Sequence, residues 1–157
     1  MANYPVNKIR NVCLMGHGGD GKTSLVESLL NIAGVTDRVG KIADGNTVCD
    51  FDPEEIKRKF SISTAVAPVE WNGCKINLLD TPGFFDFESE VQCALRVAES
   101  ALIVATGKSV RASAPKRLGL TVRSTQCRVC STSPRSTRKT RITITLCTSC
   151  RSSSAYR

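Results

Sequence analysis

The chain begins with apolar runs that alternate with amphipathic segments. Residues 11–15 form an apolar run before a glycine cluster, which is typical of a strand buried on both faces. Residues 22–33 carry apolar side chains at helical spacing and are followed by Gly34, which indicates a helix and its end. Residues 87–98 repeat the helical spacing, and residues 100–105 form another apolar run. This alternation predicts an α/β domain.

The middle of this region contains a hairpin signal and a long irregular segment. Two β-rich runs, 61–71 and 75–80, flank Asn72-Gly73, the dipeptide that best predicts a tight hairpin turn. Residues 35–58 contain glycine, asparagine and proline without a sustained period. A long segment of this kind in a compact domain is usually functional or disordered.

Charge and composition change after residue 107. All 14 Asp and Glu residues come before that point, and the last of them is Glu99. Residues 108–157 hold 12 of the 22 Lys and Arg residues, and 18 of these 50 residues are Ser or Thr. The formal net charge of +8 therefore comes from the tail. We predict a domain in residues 1–107 and a basic, Ser/Thr/Arg-rich, disordered tail in residues 108–157, able to bind RNA nonspecifically.

Other features limit the class of protein. The longest purely apolar run, residues 101–105, is far too short to span a membrane. The first residues lack the apolar core of a secretory signal. We therefore expect a cytoplasmic protein without a membrane partner, in which disulfides are rare.

A phosphate-binding motif follows the first predicted strand. Residues 16–23 read G-H-G-G-D-G-K-T and match G-x-x-x-x-G-K-[ST] between a strand and a helix. The backbone N–H groups of such a loop, with the helix N-terminus behind them, bind phosphate oxygens. Lys22 is predicted to reach the β- and γ-phosphates, and Thr23 to ligate Mg²⁺. The predicted phosphate-binding residues of this loop are Gly16, His17, Gly18, Gly19, Asp20, Gly21, Lys22 and Thr23.

A second motif, Asp80-Thr81-Pro82-Gly83, ends the strand predicted in residues 75–80. An Asp at the end of a strand near a phosphate loop suits a role in holding Mg²⁺. The backbone N–H of Gly83 is predicted to approach a γ-phosphate. The two motifs together predict a nucleotide-dependent switch.

The chain resembles the translational GTPases of the elongation factor G family over roughly residues 8–107. The resemblance lies in NVCLMGHGGDGKTSL, DFDPEEIKR, SISTAVAPVEWNGCKINLLDTPG and ALRVAESALIV. It implies a P-loop NTPase fold of the α/β class, with a mostly parallel sheet and helices on both faces, here incomplete. It also implies GTP and GDP as ligands with Mg²⁺, GTPase activity, and the ribosome as partner.

The resemblance assigns further roles and reveals departures from the family. Residues of about 35–64 correspond to the first switch, and Ser61 stands where the family has a Mg²⁺-ligating Thr. Asp80 and Gly83 correspond to residues that sense magnesium and the γ-phosphate, so both are predicted to bind phosphate as well. Lys59 replaces a glycine of that switch, and Phe84 replaces a His that often positions the attacking water. Because Phe84 cannot form hydrogen bonds, we name no catalytic residue and expect slow hydrolysis. Residues 108–157 lack the N-K-x-D or T-K-x-D sequence with which the family reads guanine, so we expect weak guanine selectivity and doubtful activity.

The tail allows a zinc module as one interpretation. Two C-x-x-C pairs are separated by 16 residues, which is within the range of structural zinc sites. The predicted ligands are Cys127, Cys130, Cys147 and Cys150. With the surrounding arginines, they would form a module that binds nucleic acid.

A second interpretation is that the tail is translated out of frame. Every Cys codon begins with TG, so a frame displaced by one base converts each Cys into Leu, Met or Val. One allowed choice of codons for residues 114–157 reads without a stop and contains an apolar VFYI followed directly by T-K-I-D. On this interpretation the C-x-x-C pairs carry no function. A plain basic tail is the third alternative.

Overall fold

The computed structural model describes residues 4–105, 128–132 and 144–146. Its sheet has the strand order β2-β3-β1-β4-β5-β6. The strands are β1 (Ile9–Met15), β2 (Ala65–Trp71), β3 (Cys74–Asp80), β4 (Ser100–Val104), β5 (Arg128–Thr132) and β6 (Ile144–Leu146). The α-helices are α1 (Lys22–Ile32), α2 (Pro53–Arg58) and α3 (Glu88–Val97). Single 3₁₀ turns lie at Val6–Lys8, Ile42–Asp44 and Phe85–Phe87.

The sheet is mostly parallel, as the sequence predicts. β1 pairs in parallel with both β3 and β4, and β4 pairs in parallel with β5. β2 and β3 form the predicted antiparallel hairpin. Its turn places Asn72 at φ 49° and Gly73 at φ 72°. Positive φ at both central residues matches the twist of the flanking strands, which explains why Asn-Gly specifies this turn.

Helices cover both faces of the sheet, and β1 is therefore buried on both sides. Consecutive side chains of a strand point to opposite faces, and Cys13, Leu14 and Met15 are all fully buried. Leu14 belongs to the core cluster that contains Val26 and Leu30 of α1. Cys13 and Met15 belong to a second cluster, formed with Val91, Ala94 and Leu95 of α3. The predicted fold class is confirmed.

Helix α2 lies inside the segment for which no period was found. Asp52 and Glu55 form a capping box around its first turn, and Pro53 opens the helix. The sequence signal D-P-x-E was therefore present, but the helix is only 6 residues long and too short for a hydrophobic period.

The carboxyl ends of the neighbouring inner strands β1 and β3 lie side by side. Leu14 is in register with Asp80, and the Thr81 hydroxyl donates a hydrogen bond to the Leu14 carbonyl at 2.5 Å. The loop after β1 and the loop after β3 consequently meet at these carboxyl ends, where open α/β sheets bind their ligands.

Two strands lie within residues 108–157. β5 extends the sheet beside β4, and β6 pairs antiparallel with β5. These eight residues form paired strands at the sheet edge. The predicted disorder of the tail otherwise stays a prediction. The division of the chain at residue 107 stays a prediction.

Candidate functional site

The loop after β1 forms a backbone concavity in front of α1. Gly19 (φ 83°) and Gly21 (φ 89°) both have left-handed backbones, and an added Cβ at either would meet no atom within 4 Å. Asp20 closes the turn because its carboxylate accepts a hydrogen bond from the His17 N–H at 3.1 Å. Since Gly21 precedes α1 without a side-chain cap, the helix N-terminus is open to an anion.

Lys22 is buried on the floor of this loop. Its side chain is 6% exposed, and its ammonium donates to the Gly16 and His17 carbonyls at 3.1 and 3.2 Å. Burial lowers the pKa of Lys22, and the neighbouring carboxylates of Asp80, Asp20 and Asp50 oppose that shift. The cation is fixed beside the concavity, where a phosphate group would complete its solvation.

Three hydroxyl and carboxylate groups converge behind Lys22. The Thr23 hydroxyl donates to Asp80 Oδ2 at 2.7 Å and lies 3.4 Å from the Ser61 hydroxyl. The other carboxylate oxygen of Asp80, Oδ1, is buried without a hydrogen-bond partner. A buried carboxylate oxygen without a donor is costly, and a hard cation that prefers oxygen ligands would satisfy it. The three residues predicted to bind magnesium therefore lie together and fit that ion.

Asp50 belongs to the same cluster, although it was not singled out in the sequence. It is 4% exposed and accepts a hydrogen bond from Ser61 at 2.7 Å. Burial raises the pKa of Asp50, and the hydrogen bond from Ser61 opposes this. No local pattern marks Asp50, because its partner is 11 positions away in an irregular segment.

Gly83 joins the two loops by close backbone contact. The Gly18 N–H donates to the Gly83 carbonyl at 3.1 Å. An added Cβ at Gly83 would lie 2.5 Å from the Gly18 nitrogen and 2.6 Å from the Lys22 ammonium. Glycine is therefore required here for space, which is a reason separate from the predicted approach to a γ-phosphate.

Phe84 and Phe60 close one side of the site with apolar surface. Their rings meet edge to face with centroids 4.8 Å apart. Phe84 also packs over the loop, because an added Cβ at Gly18 would lie 3.0 Å from its Cζ. Phe84 and Phe60 therefore form an apolar wall of the cleft.

Two buried carboxylates accept hydrogen bonds from the backbone of the irregular segment and of the residues that follow it. Glu27 of α1 is 1% exposed and accepts the Gly40 and Val48 N–H groups at 3.1 and 2.6 Å. Glu55 of α2 accepts the Ile62 and Ser63 N–H groups at 2.8 and 3.0 Å. Neither residue was identified from the sequence, because a carboxylate that caps distant backbone groups has no periodic signature.

These elements line an open cleft of about 140 Å³. Its lining comprises Gly18, Gly19, Gly21, Lys22, Thr23, Ser24, Ile42, Asp50, Lys59, Phe60, Ser61, Gly83 and Phe84. Of the ten residues predicted to bind phosphate, Asp80 lies behind Thr23 and is not part of this lining. Gly16, His17 and Asp20 are not part of it either. Their contacts within the loop shape it instead, and the assignment of phosphate contacts stays a prediction.

The alternative zinc site lies almost wholly outside the described residues. Of its four cysteines, only Cys130 falls within them, in β5. In the described part of the chain, no group of three or more His, Cys, Asp or Glu side chains could hold a metal ion. No observation on the described residues supports a zinc module.

Comparison with known proteins decides the family. A family model described as the elongation factor Tu GTP binding domain matches residues 7–130. The chain belongs to this family of GTP-binding domains. The match extends beyond residue 107, where the resemblance seen in the sequence ended.

Individual relatives of this GTP-binding domain agree. The chain is 49% identical over 103 residues to an elongation factor G-like protein of Mycobacterium tuberculosis, covering 66% of this chain and 14% of that protein. It is 43% identical over 102 residues to the mitochondrial ribosome-releasing factor 2 of Rattus norvegicus, covering 65% and 13% respectively. The resemblance to the elongation factor G family is confirmed. The chain spans about a seventh of the length of these relatives.

A solved structure shows the same fold. The crystal structure of ttk003000868 from Thermus thermophilus superposes with a TM-score of 0.76 at 32% identity, covering 80% of this chain and 19% of that one. No described helix is long and apolar enough to cross a membrane.

Proposed function

We propose that this chain binds GTP and GDP together with Mg²⁺ in the cleft and forms the nucleotide switch of a translation factor. The observation that carries the proposal is the unsatisfied Asp80 Oδ1 beside the Thr23 hydroxyl, behind a glycine loop and a buried lysine. Nucleoside phosphates need these same parts: backbone N–H donors, a fixed cation and oxygen ligands for a divalent ion.

The phosphate groups would be bound by the loop after β1. Gly19 and Gly21 turn the backbone so that its N–H groups face the concavity, and the N-terminus of α1 contributes its positive dipole end. Lys22 would add a full charge at a fixed position, already held by the Gly16 and His17 carbonyls.

Thr23, Ser61 and Asp80 would hold the magnesium ion. When bound, the ion neutralises charge on the terminal phosphates. Asp50 holds the Ser61 hydroxyl toward Thr23, so it acts through Ser61. Because Ser61 lies in the segment 35–64, magnesium binding would couple that segment to the nucleotide. We propose this segment as the first switch.

Hydrolysis by this site is expected to be slow, because the Phe84 side chain cannot form a hydrogen bond with a water. Phe84 and Phe60 contribute apolar surface where a hydrogen-bonding group would act. The site therefore favours holding the triphosphate over cleaving it.

Replacing Phe84 with histidine should increase single-turnover GTP hydrolysis by about tenfold, because an imidazole can hydrogen-bond a water. The measurement is release of labelled phosphate from GTP bound to the 157-residue chain. Phe84→Leu is the control, since it keeps an apolar side chain and should stay as slow as the parent. Equal rates for the His and Leu variants would contradict the proposed role of Phe84.

We propose the ribosome as the partner and the cytoplasm as the location. The relatives named elongation factor G-like protein and ribosome-releasing factor 2 support the partner. The basic residues after residue 107 would add nonspecific attraction to RNA phosphates.

We further propose that residues 108–157 are translated out of frame. The displaced VFYI is read from the codons of residues 129–133, which overlap β5 (Arg128–Thr132). The apolar sequence of the other frame thus falls where the sheet has a strand. Sequencing the gene across codons 107–116 tests this. A gained or lost base that opens the frame through T-K-I-D is expected, and codons that cannot encode that peptide would rule it out.

A further inference from the structure

Lys59 has a backbone conformation that lysine rarely adopts. It follows α2 in the left-handed region, at φ 60° and ψ 37°, and its N–H donates to the Glu55 carbonyl at 2.7 Å. Helices commonly end on such a residue, but that residue is usually glycine because a Cβ is disfavoured there. A strained non-glycine residue beside a site suggests a functional reason for its side chain.

The surroundings of Lys59 indicate what that reason is. Lys59 lines the cleft together with Lys22, and these are the two cations of its described lining. The preceding Arg58 has its guanidinium 2.5 Å from the Glu54 carboxylate, on the exposed side of α2. Lys59 makes no ion pair within the described residues. Its charge is therefore available to a ligand in the cleft.

The position of Lys59 also indicates which phosphate group of a nucleotide it would contact. Lys22 begins α1, whereas Lys59 directly follows α2, and both residues line the cleft. Ser61, two residues later, reaches to 3.4 Å from the Thr23 hydroxyl. Lys59 therefore belongs to the magnesium end of the cleft, where the terminal phosphate of a triphosphate would lie.

We propose that Lys59 is a second phosphate-binding cation, which makes the cleft prefer a nucleoside triphosphate over a diphosphate. The inference rests on the proposed function. Replacement of glycine by Lys59 costs backbone freedom, but the segment still adopts the left-handed turn. In return, the lysine side chain brings a positive charge to the terminal phosphate.

The experiment compares the affinities of the 157-residue chain for GDP and for a non-hydrolysable GTP analogue in Mg²⁺. Lys59→Gln removes the charge and keeps the Cβ, and should weaken the GTP analogue about fivefold, as expected for a partly exposed charge pair. GDP affinity should change by less than about twofold. Lys59→Arg should restore the preference. Added salt should reduce the difference in GTP-analogue affinity between Lys59→Gln and the parent, because salt screens an exposed charge pair.

Two further variants separate charge from backbone strain. Lys59→Gly should lose the same preference while raising the melting temperature, since glycine relieves the left-handed turn. Lys57→Gln removes an exposed charge of α2 outside the cleft lining and should leave both affinities unchanged. The inference alone is overturned if Lys59→Gln keeps the parental ratio of GTP-analogue to GDP affinity, as it would if both nucleotides bound equally more weakly. Failure of the parent chain to bind either nucleotide overturns the proposed function and the inference with it.

Discussion

Replacing Lys22 with methionine should lower the affinity for GDP and GTP by at least about a hundredfold, which corresponds to about 2.7 kcal/mol. Truncating one partner of a buried charge pair commonly costs about 2–5 kcal/mol of binding free energy. Lys22 is 6% exposed, and without it a bound phosphate loses the buried cation of the described cleft lining. Methionine fills a similar volume, so the fold should survive. The measurement is equilibrium titration with a fluorescent nucleotide.

The control for this variant is Lys8→Met. Lys8 is exposed and directly precedes β1, at the opposite end of that strand from the cleft. It should bind both nucleotides with parental affinity. If Lys22→Met also binds within about fivefold of the parent, Lys22 does not contact the phosphates.

Replacing Asp80 with asparagine should abolish the strengthening of nucleotide binding by Mg²⁺. The amide keeps an oxygen to accept the Thr23 hydrogen bond but carries no charge for a divalent ion. We expect the ratio of affinities in Mg²⁺ and in chelator to fall by about tenfold or more, to near one. Asp86→Asn, at an exposed position near the start of α3, is the matched control and should keep the full effect of Mg²⁺.

The same variant should stabilise the nucleotide-free protein near neutral pH. Burial raises the pKa of Asp80 to about 6, although the Thr23 hydrogen bond and the Lys22 charge oppose this shift. The folded state thus holds the proton more tightly than the unfolded chain. The contribution of Asp80 to stability is greatest below about pH 4 and decreases as pH rises to about 6. The loss is on the order of 3 kcal/mol.

Denaturant unfolding in chelator across this pH range measures that dependence. The stabilities of the parent and Asp80→Asn should converge at the acid end, and the variant should be the more stable protein at neutral pH. A less stable variant at neutral pH, or one whose nucleotide affinity still responds fully to Mg²⁺, would contradict the role given to Asp80.

The sequence predicts the parts of the site that are local in the chain. The loop at residues 16–23 and its flanking strand and helix form one continuous motif, since the glycines, Lys22 and Thr23 act within a single turn of backbone. Asp80 is also predictable, because it ends an apolar strand and begins the motif Asp80-Thr81-Pro82-Gly83. The meeting of the two loops follows from the order of the strands.

The supporting contacts could not be predicted, because they join distant positions without a repeating pattern. Glu27 caps backbone groups 13 and 21 residues away. Asp50 acts on Ser61 from within an irregular segment. From the sequence alone, Lys59 is only a replacement of a switch glycine. Its left-handed backbone and its place in the cleft lining are visible only in the structure. β5 was missed because R-V-C-S-T has little apolar character, and its pairing with β4 depends on the sheet edge.

The most direct test of the proposed site is calorimetric titration of the 157-residue chain with GDP, once with Mg²⁺ and once with chelator. We expect one nucleotide per chain and an affinity that falls by about tenfold or more when the metal is removed. Absence of binding, or binding that is indifferent to Mg²⁺, would contradict the assignment of Thr23, Ser61 and Asp80 to a magnesium–nucleotide site.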